Sequence, residues 1–185
     1  MDVSDPASVA KAGALADAPD GMIYLAGVYW PMPAIEYDGE QTAEMIDINL
    51  TGAARVLGQV LPQMVARDHG HIVLTGSLSG FRGLPRASGY GASKAGLMSM
   101  AETLYADLRC TGVDVQLINP GFVKSRLTDK NDFAMPFIMD APDAARRFVE
   151  HMHTNDFARN FPSGFASLFR LSQFLPDWLY YRLFR

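Results

Sequence analysis

The sequence predicts an α/β fold built on a doubly wound parallel sheet, and three observations carry the prediction. Short apolar runs recur at residues 22–27 (MIYLAG), 71–77 (HIVLTGS) and 113–121 (VDVQLINPG), each bounded by turn residues. Long segments with helical spacing of apolar residues separate them. Continuous apolar runs suit strands buried on both faces, and strands joined through long helices imply right-handed crossovers and parallel pairing.

Each element follows from local chemistry. Asp2 and Ser4 read as a strand-to-helix junction, Pro6 sits where its missing N–H costs nothing, and Ala7 to Ala16 reads as the helix. Residues 22–27 form the next strand. Residues 41–68 carry apolar side chains at three- and four-residue spacing from Met45 to Leu61, which suits a long helix broken near Gly52 or Pro62. The strand at 71–77 leads into a glycine-rich, arginine-bearing loop, and a second long helix runs from about Gly91. Residues 113–121 end in a Pro-Gly turn. Ligands of such sheets sit at the carboxyl ends of the strands, so the segments after residues 27, 77 and 121 face one crevice.

Composition narrows the function classes. A chain of 185 residues, 49% hydrophobic and 19% charged, is an ordinary globular balance with room for one domain and a sizeable core. A net charge of -4 without a basic stripe speaks against a polynucleotide partner. Cys110 is the single cysteine, so no internal disulfide forms. A charged segment followed by an apolar one does not open the chain, which sets the expectation of a reducing cytoplasm. No apolar run reaches transmembrane length.

The strand ends carry the candidate chemistry. Tyr90 and Lys94 are four apart at the start of a helix and share one face. An ammonium beside a phenol favours phenolate, so Lys94 is expected to lower the Tyr90 pKa and let it exchange a proton with an alcohol or carbonyl oxygen. Ser77 ends the preceding strand, where its hydroxyl can hold that same oxygen. A Tyr-x3-Lys pair by itself is a common solvated helix face; the order strand, serine, tyrosine, lysine gives it weight.

These residues resemble the short-chain dehydrogenase/reductase family. The match spans nearly all of residues 2–155: Ser77, Tyr90, Lys94, Asn49 in INLTG, and NPGFVKS at the family's Pro-Gly cofactor turn. The resemblance implies an NAD- or NADP-dependent oxidoreductase in which Tyr90 is the general acid/base and Lys94 binds the nicotinamide ribose while tuning Tyr90. Ser77 polarises the substrate oxygen and Asn49 holds a water of the proton relay. The implied cofactor contacts are Asp2 and Val3 at the adenine, the backbone of Ala26 and Gly27, Tyr90, Lys94, Pro120, Gly121, Val123, and Ser125 in place of the usual threonine. A homodimer or tetramer, two long helices packing across a two-fold, is implied as well.

Two departures stand out. Tyr24-Leu25-Ala26-Gly27 replaces the family's Asn-Asn-Ala-Gly, keeping the small pair and losing both asparagines. The family's opening Thr-Gly-x3-Gly-x-Gly turn is not found in the sequence. The expectation is therefore a Rossmann-like domain lacking its first half, with Met1 an internal residue of a longer protein, weak dinucleotide binding and one apolar sheet edge unpaired. The alternative is a non-catalytic remnant that acts in binding or assembly.

By the same resemblance, residues 120–140, with Phe133, Met135, Phe137, Ile138 and Met139, form a substrate lid, which suits a small apolar carbonyl or alcohol. Residues 158–185 form an apolar, basic end in which Phe174, Trp178 and Tyr181 accompany Arg170, Arg182 and Arg185. Its part from 163 onward suits a membrane surface, an oligomer interface or a helix completing the core. Ser79 is a loop hydroxyl or minor substrate contact. His151 and His153 lie on different helix faces, against a metal site, and Cys110 reads as inert packing.

Overall fold

The computed structural model describes residues 1–184; Arg185, counted above with the basic end, lies outside the described residues. Asp5 caps the first helix, α1 (Pro6–Leu15), its carboxylate accepting from the N–H groups of Ala7 and Ser8 at 2.9 and 3.2 Å. Ser4 is drawn back instead, donating its N–H and hydroxyl to Asp2 at 2.9 and 2.7 Å. The chain continues through β1 (Gly21–Tyr24), α2 (Gly39–Ile46), α3 (Gly52–Ala66), β2 (Gly70–Thr75) and α4 (Ser88–Leu108). It closes with β3 (Val113–Pro120), α5 (Ala141–Met152), β4 (Ala158–Phe161), α6 (Ser163–Ser172) and α7 (Asp177–Leu183).

The four strands lie in the order β1-β2-β3-β4, all parallel. Tyr24 stands opposite Leu74, Leu74 opposite Leu117, and Leu117 opposite Ala158. Alternate side chains go to opposite faces. Ile72 and Leu74 join Tyr24, Leu57, Leu97 and Leu117 in the larger core under α1, α3 and α4, while Val73 turns to Ile118, Ala144 and Phe161 under α5. Helices on both faces of a parallel sheet are the doubly wound arrangement the sequence predicts.

Two elements differ from expectation, and the long helix breaks at the first of its two expected places, beside Gly52. β4, with sequence ARNF, has no apolar run, and four residues at a sheet edge leave no period to read. It draws residues 158–161 into the sheet, so the apolar C-terminal end begins after them. β1 stops at Tyr24 because the next residues leave the ladder for side-chain partners described below. Along it Met22 and Tyr24 are buried while Ile23 is 47% exposed at the edge of the described sheet. The long helix divides into α2 and α3 at a π-helical turn, Asp47–Thr51, whereas Pro62 lies on the solvent side of α3 and does not end it.

The π turn has a visible cause. A widened turn leaves a carbonyl without its usual partner, and the buried Tyr24 hydroxyl donates to Ile48 O within it. Gly52 makes room: a Cβ there would stand 2.5 Å from the Tyr24 oxygen and 3.0 Å from the Val3 side chain. Among the described residues no helix is long and apolar enough to cross a membrane.

Gly52→Ala is expected to lower stability by about 1–3 kcal/mol through overpacking. In urea denaturation its cost should be smaller in a Tyr24→Phe background, where the hydroxyl is gone; equal costs in both backgrounds would refute the close approach.

Candidate active site

The π turn places Asn49 beneath the carboxyl end of β1, with no exposed surface. Its Oδ1 accepts from Val28 N at 2.8 Å, and its Nδ2 donates to Val28 O at 3.0 Å and to Ser93 Oγ at 3.0 Å. Ser93 donates in turn to Tyr90 O at 2.8 Å. One amide thus joins the loop after β1 to the first turns of α4. Both of its donors are committed to protein partners, so the side chain is a clamp and does not offer a free N–H to a relay water.

Lys94 follows on α4, 4% exposed, donating from Nζ to Thr75 O at 2.8 Å. Burial holds its pKa down to about 8. Nζ lies 5.7 Å from the centroid of the half-buried Tyr90 ring. The expected lowering of the Tyr90 pKa is not found. Burial pushes the phenol up, the nearby Ser77 hydroxyl works in the opposite direction, and the neighbouring Tyr29 adds to the rise. Desolvation outweighs a cation that is itself turned toward a backbone carbonyl. Tyr29 packs against Tyr90 with ring centroids 4.9 Å apart.

Ser77 leaves β2 in an extended conformation and accepts from Ser79 N at 3.2 Å and Ser79 Oγ at 2.9 Å. Ser77 and Tyr90 face a cavity of about 620 Å3 whose other walls include Leu84, Phe122, Phe133 and Phe169. Residues 121–139 lie across it. Their base is closed by the Val123–Met139 bridge, and Lys130 reaches back to donate to Tyr29 O at 3.0 Å. Arg86 pairs with Asp132 of the same segment.

The remaining predicted residues fall around this centre. Gly27 lies against Asn49 and Lys94: a Cβ on it would be 3.4 Å from Asn49 Oδ1 and 3.8 Å from Lys94 Nζ. Ala26 packs on the main core. Pro120 ends β3, and Gly121 donates to Phe161 O at 2.7 Å while lining the cavity. Val123 O and Ser125 O both accept from Thr128 Oγ1 at 2.9 Å. Asp2 is exposed at the start of α1, and Val3 is buried against Gly52.

His151 is buried and His153 exposed, and no cluster of metal-ligating side chains occurs among the described residues. Cys110 is exposed in the turn after α4, not packed as expected. Tyr29, Ser93 and Arg86 were not singled out from the sequence. Ser93, three residues after Tyr90 on the inner face of a helix, carried the one usable signal.

A family model described as short chain dehydrogenase matches residues 1–134. An uncharacterized oxidoreductase of Myxococcus xanthus is 44% identical over 171 residues, 92% of this chain and 66% of that protein, so the chain spans just under two thirds of its relative. A short chain dehydrogenase from Burkholderia cenocepacia in complex with NADP shares the fold at TM-score 0.87 and 19% identity, covering 100% of this chain and 78% of that one. The closed form of a serine dehydrogenase complexed with NADP+ aligns at TM-score 0.66 and 27% identity, covering 95% and 69%.

The Lys94 amine gives a pH test. Its pKa of about 8 lies below the 10.5 of an exposed lysine, so between those values the unfolded chain binds more protons than the folded one. The Lys94 contribution to stability should therefore rise with pH across that window, by about 2–3 kcal/mol between pH 7.5 and 10. Buried tyrosines with raised pKa values, Tyr24 and Tyr90 among them, pull the other way near pH 10. Urea denaturation at the two pH values should show the wild type gaining that much relative to Lys94→Met; equal slopes would sink the assignment.

Proposed function

The chain belongs to the short-chain dehydrogenase/reductase family, and from that premise we propose that it interconverts a carbonyl and an alcohol on an apolar substrate with NAD(H) or NADP(H). The observation that carries the reading is that Ser77 and Tyr90 line one mainly apolar cavity, with Lys94 buried one helical turn behind Tyr90.

The residues at the strand ends fit the nicotinamide end of such a cofactor. The missing Cβ of Gly27 leaves the Ala26–Gly27 backbone open to close approach beside Asn49 and Lys94. Lys94 spends one donor on Thr75 O and keeps the others for ribose hydroxyls. Buried Thr75 Oγ1 and Asn119 Oδ1, at the ends of β2 and β3, are without partners. The turn through Pro120, Gly121 and Val123 offers backbone groups to the nicotinamide amide and Ser125 a hydroxyl, while Asp2 and Val3 take the adenine end. The likeness to a serine dehydrogenase complexed with NADP+ supports a nicotinamide cofactor.

When bound, the nicotinamide supplies the hydride in reduction and accepts it in oxidation. The chain's own groups manage the oxygen. Ser77, oriented by Ser79, holds the substrate oxygen, and Tyr90 Oη gives it a proton in reduction and takes one in oxidation. A phenol kept protonated by burial is ready to act as the acid. The Lys94 charge stabilises the phenolate left behind, and Asn49 acts as a positioning residue through Val28 and Ser93.

Two associations complete the reading. A homodimer or tetramer packs through α3 and α4, and the C-terminal helices rest on a membrane surface through Phe174 and Trp178, 84% and 71% exposed, beside Arg170 and Arg182.

The reading is tested by following NADPH or NADH oxidation with a panel of alkyl ketones and aldehydes. Tyr90→Phe should lower turnover about a hundredfold or more with cofactor affinity unchanged, whereas Lys94→Met should weaken both. Full activity in Tyr90→Phe would remove Tyr90 from the acid/base role.

A further inference from the structure

We infer that the α6–α7 hairpin is a length-selecting wall for a substrate with a long apolar body, and that Arg82 is the positioning residue that hangs it on the catalytic loop. The inference rests on the reading of the Ser77–Tyr90 cavity as the substrate site and adds to it the class of substrate.

Arg82 lies in the loop between Ser77 and α4, its side chain largely buried. Its Nη1 donates to Ser172 O at 3.0 Å and Leu175 O at 2.7 Å, at the carboxyl end of α6, and its Nη2 pairs with the Asp177 carboxylate at the start of α7. The guanidinium lies 4.0 Å above the ring of Tyr180. Tyr180, fully buried, donates back to Gly83 O at 3.0 Å. One planar cation therefore satisfies orphan carbonyls of α6, the acidic first residue of α7 and an aromatic face, a combination lysine cannot supply.

What the hairpin presents to the cavity is apolar. Its described lining residues are Phe165, Leu168, Phe169, Leu183 and Phe184. Rings run without a gap from the lid to the clamp: Phe137 to Phe165 at 5.6 Å, Phe165 to Phe169 at 4.9 Å, Phe169 to Phe184 at 5.5 Å, and Phe184 to Tyr180 at 4.6 Å. Ser77 and Tyr90 thus open on a cavity whose hairpin side is hydrocarbon, while Arg86, Thr128 and Asn131 add polar groups elsewhere in its lining. A carbonyl or hydroxyl carried on an alkyl or alicyclic body fits both parts, and a small polar substrate leaves the hairpin wall unused.

The proposal is tested by calorimetric binding of butan-2-one and decan-2-one to the whole chain, alongside NADPH-dependent turnover of both. Each buried methylene is worth about fourfold in affinity, so decan-2-one should bind at least about a hundredfold tighter. Arg82→Gln should cut decan-2-one affinity at least about tenfold and leave butan-2-one unchanged. Leu168→Trp, which adds bulk at the exposed rim of the hairpin wall, should do the same and decides the matter if Arg82→Gln does not fold. Equal affinity for the two ketones, or equal loss of both in the variants, overturns the proposal. Length-dependent binding without turnover of either ketone would instead leave the selector standing and fail the redox reading.

Discussion

The site depends on one buried amide. Asn49 exchanges two hydrogen bonds with the backbone of Val28 and gives a third to Ser93, and those three bonds hold the end of β1 against the start of α4. An amide without exposed surface cannot fall back on water, so losing any partner leaves a desolvated group unpaired. This makes the clamp close to all-or-none. Its geometry exists because the helix widens at Asp47–Thr51, and the widening is satisfied by a tyrosine hydroxyl where the family pattern has asparagine. Tyr24 therefore fills the space of a lost polar contact with a different one, acting on the Ile48 carbonyl next to Asn49.

Holding the helix start so firmly has an electrostatic consequence. Tyr90 and Lys94 are both pressed into low-dielectric surroundings, and burial moves each toward its neutral form: the phenol up, the amine down. Two groups shifted in these directions sit farther apart on the pH scale than free tyrosine and lysine do, and the phenol becomes the more basic of the two. The phenol keeps its proton while the amine titrates at about 8, so small changes in the acceptors around Lys94 carry large weight. The same desolvation that destabilises the ammonium makes it attractive to any acceptor that enters beside Gly27.

How much of this was legible in the sequence follows from range. Ser77, Tyr90 and Lys94 could be read because chain order and a regular helix bring them together, and spacing alone sets the shared face. The alternating strands and helices were legible for the same reason. Asn49 was legible as a site residue but not as a clamp, since its partners Val28 and Ser93 lie 21 and 44 residues away. The direction of the Tyr90 shift was misread because desolvation is set by packing from Tyr29 and the lid, not by the lysine four residues on. β4 escaped because four residues, two of them Arg159 and Asn160, carry no apolar period.

The C-terminal end shows the limit most clearly. Its density of aromatic residues suggested burial or a surface, and the structure divides it by face: Phe165, Phe169 and Tyr180 inward, Phe174, Trp178 and Tyr181 outward. That division turns on Arg82, 90 residues before the Ser172 carbonyl it binds, in a loop (LSGFRGLPRA) whose sequence carries no sign of that partner. Hydroxyls and hydrocarbon wall are thereby built from different parts of the chain. Ser77 and Tyr90 come from the segments after β2, and the helices after residue 162 supply apolar side chains to the same cavity. The two meet at the loop from Ser77 to Ala87, so that a change in the wall reaches the Ser77 and Tyr90 hydroxyls through the backbone of one short segment.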